Sequence, residues 1–295
     1  MTDQAPWPAG PVPPQGLDVT VPNVARIYDY LLNGKDNFEA DREAARRLLE
    51  AVPDAARAAR ANRAFLARAV QFLTREAGIR QFLDIGTGLP TGGNVHEIAQ
   101  VADPQSHVVY SDIDPMVVVH ANALLANSLT VAATHADLRQ PDQLFAMPVM
   151  RTLIDIGQPL AVLLVAVLHF LPDDDDPWAL VDRIKRKLAP GSYVVISHVT
   201  SDEIPNEAAR QAAEVYRNAS APGVARSRDD IAGFFSGLDM VEPGLVDASA
   251  WRAPHLVGQP RPTLFYAGIG RKPAYGLGGP IDPSAGVRPP AADSR

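Results

Sequence analysis

The sequence predicts an α/β fold: a doubly wound, mostly parallel seven-stranded sheet with helices on both faces, one antiparallel strand, and a helical segment in front. Three observations predict it. Short apolar runs alternate with helix-patterned segments along most of the chain, the order that builds parallel sheets from crossover helices. The last two runs lie close together, so they read as a hairpin that reverses one strand. The first run ends in an acid and breaks into a glycine-rich turn, "QFLDIGTGLPTGG".

The elements follow in order. Residues 42–77 are helical, interrupted and restarted at Pro53 and Asp54, with Gly78 as the stop. Leu66, Val70 and Leu73 give the second helix an apolar stripe at spacings of four and three. Strand one is Gln81 to Ile85, and a helix follows the glycine turn near 94–102. "SHVVYSD" is strand two, and Pro115 opens the next helix, which runs to about residue 127. "LTVAATHAD" is strand three, with helical or irregular chain over 141–157. "LAVLLVAVLHF" is strand four, followed by a helix at 176–188. "GSYVVISHVT" is strand five, with a helical insertion over 203–220 and a helix at 228–236. "LDMVEPGLV" and "PTLFYAGIGRK" are the closing strands. The proline- and glycine-rich ends, 1–17 and 274–295, read as loose tails around one domain over 18–273. Within it, 18–78 is the N-terminal extension and 79–273 the core.

Composition excludes several classes. The 295 residues carry 27 Lys and Arg against 34 Asp and Glu, a formal charge of -7, so no broad nucleic-acid surface is expected. There is no cysteine, which removes disulfides, thiolate metal sites and a thiol nucleophile, and is consistent with a cytoplasmic protein. No leader is recognisable, and the longest apolar run, Pro159 to Leu171, is too short to span a bilayer. Oligomeric state is not legible.

The glycine turn poses the choice of ligand. A dinucleotide print needs a third glycine where Thr91 stands, and a P-loop needs Gly-Lys-Ser/Thr, which is absent. Asp84, at the strand tip, repels a pyrophosphate and attracts an ammonium or sulfonium group. With Gly86, Thr87 and Gly88 it suits S-adenosylmethionine. Asp112, at the tip of strand two and followed by Ile113, can accept from both ribose hydroxyls. Asp114 stands near the same strand end as a rival. Asp137, at the tip of strand three, can accept from the adenine amino group, with Leu138 covering the ring. One such Asp is commonly a helix cap; three on successive strand tips after a glycine turn point to one ligand.

These motifs resemble class I S-adenosylmethionine-dependent methyltransferases. More narrowly the chain resembles the actinobacterial S-adenosyl methyltransferase family, formerly catalogued as a domain of unknown function. The resemblance covers Val21 to Lys272 and is carried by "PNVARIYDYLLNGKDNFEADREAA", "NRAFLARAVQFLTREAGIRQFLDIGTGLPTGGNVHEIAQ", "VVYSDIDPMVVVHANALL", "ADLRQP" and "LLVAVLHFLPD". It implies a Rossmann-like core and S-adenosylmethionine as cofactor, with the acceptor unknown. Pro90 replaces the third glycine of many class I members, as in this family's own turn. Asn33 stands where the family's "YLLGGKDNF" has glycine, and Asn tolerates left-handed backbone.

"YDYLLNGKDNF" has no counterpart in a minimal core. Its polar and aromatic mixture reads as a lid over the cofactor, against the alternative of a capped surface turn. In the lid reading Tyr28 stacks near the sulfonium. Asn33, Lys35 or Asn37 holds the methionine carboxylate, with Arg63 as the rival partner. Methyl transfer needs alignment and, for some acceptors, a base. His169 is the first candidate, against a histidine satisfied by backbone at the sheet edge. His198 is weaker, and Tyr216 is a candidate roof or a packing residue. Asp173 to Asp176 read as a solvated helix N-terminus rather than a metal site. Two functions remain: a methyltransferase acting on a small molecule or protein side chain, and a non-catalytic S-adenosylmethionine-binding regulator. An NAD oxidoreductase is opposed by Asp84 and Thr91.

Overall fold

The first strand shows how the sheet is dressed. In the computed structural model, which describes residues 18–125, 128–202, 204–254 and 262–274, β1 is Gln81–Ile85. Strand side chains alternate between faces. Phe82 packs with Phe65, Leu66, Val70 and Leu73, the stripe of helix α3 (Ala55–Arg75). Leu83 and Ile85 pack on the other face with Leu180, Val181 and Ile184 of α8 (Pro177–Lys187). Both faces of the sheet are therefore covered, and the central strands are mostly apolar for that reason. The same alternation puts Asp84 on the α3 side.

The sheet has eight strands in the order β3-β2-β1-β4-β5-β8-β6, with β7 also on β8. The others are β2 (His107–Asp112), β3 (Val131–His135), β4 (Ala161–Val165), β5 (Tyr193–Val199), β6 (Asp239–Met240), β7 (Val246–Asp247) and β8 (Phe265–Arg271). β1 to β5 pair in parallel, and β8 runs antiparallel to all its neighbours. The order reverses between β1 and β4, which opens a crevice at their carboxyl ends. The predicted single strand "LDMVEPGLV" is instead two short ones, which raises the count from seven to eight. Pro243 has no N–H to give a ladder, and Gly244 follows it in left-handed backbone.

The remaining helices are α1 (Val24–Leu31), α2 (Glu39–Ala51), α4 (Val95–Ala102), α5 (Pro115–Leu125), α6 (Pro141–Ala146), α7 (Pro148–Leu153), α9 (Asn206–Arg217) and α10 (Arg228–Gly233). The sequence reading begins its helices at residue 42 and so misses α1 and the start of α2. Its strand four is too long: β4 stops at Val165, Ala166 turns left-handed, and Leu168–Phe170 is a 3-10 turn.

Two segments far apart in sequence form a cap over the crevice. Ile27 and Leu31 of α1 and Ala44, Ala45 and Leu48 of α2 share an apolar cluster with Ala212, Val215 and Tyr216 of α9. A buried ion pair, Arg26 Nε to Asp41 Oδ2 at 2.8 Å, ties α1 to α2. Ser220 N donates to Pro22 O at 2.9 Å, and Val24 N donates to Ser220 Oγ at 3.1 Å, which joins the two segments. The predicted tails, 1–17 and all but the first residue of 274–295, lie outside the described residues. Among the described residues no helix is long and apolar enough to cross a membrane.

Candidate functional site

A cavity of about 670 Å³ lies at the carboxyl ends of β1 to β4, beneath the cap. It takes its floor from the glycine turn. Gly86 has φ +70, and a Cβ there would lie 2.3 Å from Val167 Cγ2. Only glycine meets both conditions, and its absence of a side chain lets the turn close against the end of β4. Gly86 N and Thr87 N both donate to Ser111 O, at 2.7 and 3.3 Å, which locks the turn to β2.

The three strand-tip acids all reach this cavity. Asp84 is buried, and Thr87 Oγ1 donates to its Oδ2 at 3.1 Å. Burial pushes its pKa up to about 6, against the pull of the Thr87 hydroxyl and the Arg63 charge. Asp112 shares the parity of Val108 and Tyr110 and so faces the α3 side. Its Oδ2 accepts from Gly88 N at 2.9 Å and its Oδ1 from Asp114 N at 2.9 Å. Burial raises its pKa as well. Asp114 caps α5 through Met116 N, at 2.8 Å, while its buried Oδ2 has no partner. A buried carboxylate oxygen without a donor is costly, and this one belongs to a residue that lines the cavity. Asp137 is held by Arg139, whose Nε donates to both its oxygens at 2.9 and 3.0 Å. Leu138 and Ile113 complete that end.

Tyr28 and Arg63 also line the cavity. Tyr28 donates its hydroxyl to Ala59 O at 3.1 Å and accepts from Asn62 Nδ2 at 2.9 Å, so its ring is what remains for a ligand. Asn62 Oδ1 accepts from Ser197 Oγ at 2.5 Å, and Ser197 Oγ accepts from Ala166 N at 3.0 Å. This chain ties α1, α3, β5 and the end of β4 together. The cap presents Val21, Asn23 to Arg26 and Tyr28 to the cavity.

The rest of the expected lid does not reach it. Asn33 and Lys35 are exposed, and neither they nor Asn37 lines the cavity. Asn33 takes the left-handed turn position, φ 61. Asn37 donates to Asp29 Oδ2 at 2.7 Å and to Gly34 O at 3.0 Å. The buried Asp29 also accepts from Asp36 N at 3.0 Å. A Cβ on Gly34 would fall 1.9 Å from Asp29 Oδ1. The polar run is thus a turn wound around one carboxylate. Of the rival carboxylate partners, only Arg63 is in the cavity.

His169 lies off the cavity wall, its ring packed among Phe170, His198 and Phe265. Burial, with His198 and Arg226 beside it, lowers its pKa well below the usual imidazole value. His198 donates Nδ1 to Val199 O and accepts from Arg226 at 2.9 Å; burial takes its pKa to about 3. Both rings are buried, and burial favours the neutral form of each. Tyr216 packs behind Phe170, ring centroids 5.5 Å apart. Of the Asp173 to Asp176 run, Asp175 borders the cavity and Asp176 caps α8 through Ala179 N. Among the described residues no group of three or more potential ligands is placed to hold a metal ion.

Sequence reasoning passed over Asn62, Arg139 and Phe170. Asn62 had a readable sign: it stands four residues before Leu66 on the apolar stripe of α3, where a polar group needs a reason.

The family model for S-adenosyl methyltransferases matches residues 11–273. A solved structure of a candidate methyltransferase from Thermobifida fusca is 43% identical, covers 89% of this chain and 99% of its own, and has a TM-score of 0.84. A DUF574 family protein from Streptomyces avermitilis is 38% identical over 87% of this chain and 99% of its own, with a TM-score of 0.83. No curated protein matches. The chain belongs to the S-adenosyl methyltransferase family, with S-adenosylmethionine as its cofactor.

Proposed function

We propose that the chain transfers a methyl group from S-adenosylmethionine to a small-molecule or protein acceptor that reaches the cavity beneath the cap. The observation that carries this reading is the set of carboxylates from three successive strand tips around one enclosed space. The residues present fit the cofactor. Asp84 suits its ammonium group and Arg63 its carboxylate. Asp112, with the unbonded Asp114 Oδ2 beside it, suits the ribose hydroxyls, and Asp137 with Leu138 and Ile113 suits the adenine. The cofactor supplies an activated methyl group on sulfur.

The protein's part is alignment and exclusion of water. α1 and the 220–222 segment close over the strand tips, and the Tyr28–Asn62–Ser197 chain fixes the floor and roof relative to each other. No buried histidine is needed as a base in this reading. Neither His169 nor His198 lines the cavity; His198 accepts from Arg226, which donates to Leu168 O and Leu171 O and so holds the turn after β4. An acceptor whose nucleophile is already neutral, or loses its proton to water at the mouth, suits such a site.

Incubating the chain with methyl-labelled S-adenosylmethionine and a cell extract tests the reading. Label should appear in an acceptor fraction and vanish when Asp112→Ala replaces the native chain. Tight cofactor binding with no label transferred would favour the regulator instead.

A further inference from the structure

The cavity has an excess of negative charge that the cofactor does not use up. Among the described residues it is lined by six carboxylates and three guanidinium groups. Arg26 is committed to Asp41 and Arg139 to Asp137. That leaves Arg63, whose Nη2 donates to Gly92 O and Gly93 O, and the carboxylates of Asp18, Asp84, Asp112, Asp114 and Asp175, none of them in an ion pair among the described residues. S-adenosylmethionine brings a sulfonium, an ammonium and a carboxylate. Its carboxylate cancels Arg63, and its two cationic groups balance two of the five acids. Even a protonated Asp84 leaves negative charge over.

The leftover charge has a location. Asp175 and Asp18 come from the turn after β4 and from the chain before α1, and Asp18, Val21 and Pro222 are exposed lining residues that mark the cavity's solvent side. Asp174, next to Asp175, is exposed. This part of the acidic run, which the helix cap at Asp176 does not explain, borders the mouth. The walls nearby are aromatic and apolar: Phe170, Leu171 and the ring of Tyr28, whose hydroxyl is engaged elsewhere. Carboxylates over aromatic faces attract organic cations, and a field of one sign in a low-dielectric cleft concentrates ligands of the opposite sign.

We infer that the methyl acceptor is a small amine recruited as its alkylammonium or arylalkylammonium cation, and not a carboxylate or phosphate; this rests on the methyltransferase reading above. The nitrogen gives up its N–H proton, to a cavity carboxylate or to water at the mouth, before its lone pair takes the methyl group and S-adenosylhomocysteine leaves. An anionic acceptor would have to be desolvated against the unpaired carboxylates, with no free cation to meet it once Arg63 holds the cofactor. The clasp of Ser220 with Pro22 and Val24 narrows the mouth, so a small molecule enters more readily than a protein side chain.

The full-length chain saturated with S-adenosylhomocysteine is titrated calorimetrically with benzylammonium, benzyl alcohol, phenylacetate and a Gly-Lys-Gly peptide. Benzylammonium should bind about tenfold tighter than benzyl alcohol, the size of one hydrogen bond to a charged group. Phenylacetate and the peptide should bind more weakly than benzylammonium. Asp175→Asn should cut the preference for the cation several-fold while S-adenosylhomocysteine still binds. A chain that takes S-adenosylhomocysteine but prefers phenylacetate, prefers the peptide, or takes none of the probes overturns this inference alone. A chain that does not take S-adenosylhomocysteine overturns the cofactor site itself and this inference with it.

Discussion

Asp84 carries both the recognition logic and a pH dependence. Burial lifts its pKa from 3.8 to about 6 in the free protein. The folded value lies above the unfolded one, so between about pH 4 and 6 the native chain binds the extra proton. That contribution, about 3 kcal/mol, favours the free protein at acid pH and is lost as pH rises through about 6. An ammonium group prefers the carboxylate form. Affinity for S-adenosylhomocysteine should therefore rise roughly tenfold from pH 5 to pH 7.5 as Asp84 ionises. Asp84→Asn should flatten that slope in calorimetry at both pH values, and a wild-type slope that is already flat would place the ammonium elsewhere. That Asp84, Asp112 and Asp137 line one cavity was legible in the sequence, because all three stand at strand tips of a parallel sheet. Asn33, Lys35 and Asn37 were misread because polarity alone does not distinguish a ligand contact from a turn wound around a buried carboxylate. The partner that decides it, Asp29, lies in the same motif, four to eight residues earlier.

The elements of the core were read nearly in full, since the central strands β1, β4 and β5 are largely apolar on both faces and α3 carries one apolar stripe. The cap was harder. α1 is short, and its capping residue, Asn23, is bonded to Ala25 N and Arg26 N in a way that only the folded chain displays. α9 has no residue that is fully buried, because it covers α1 and α2 rather than the sheet. The cap's internal tie is the Arg26–Asp41 pair, 2% and 0% exposed. Asp41→Asn should cost about 3–5 kcal/mol of stability, since it leaves a buried guanidinium uncompensated. A double replacement, Arg26→Met with Asp41→Leu, should recover much of that loss in thermal unfolding. Equal destabilisation by the single and double variants would mean that the hydrogen bonds from Asn23 N and Phe38 N to Asp41, and not the charge pair, hold the cap.

At the scale of the whole molecule, the switch point between β1 and β4 fixes where a ligand sits, and the cap decides what else may enter. Hydrogen exchange across 23–28 should slow when S-adenosylhomocysteine is added, because Asn23 to Arg26 and Tyr28 line the cavity; exchange across 33–37 should change less. Deleting residues 1–38 should damage cofactor binding more than deleting 1–17. Equal binding by the two truncations would reduce α1 to a packing element. The central claim is that the strand-tip acids form the S-adenosylmethionine site. Its most direct test is calorimetric titration of the wild-type chain and Asp112→Ala with S-adenosylhomocysteine and with NAD. The account predicts that the wild type binds S-adenosylhomocysteine and ignores NAD, and that Asp112→Ala binds about 2–4 kcal/mol more weakly. Tight NAD binding, or an Asp112→Ala chain that binds S-adenosylhomocysteine as well as the wild type, would contradict it.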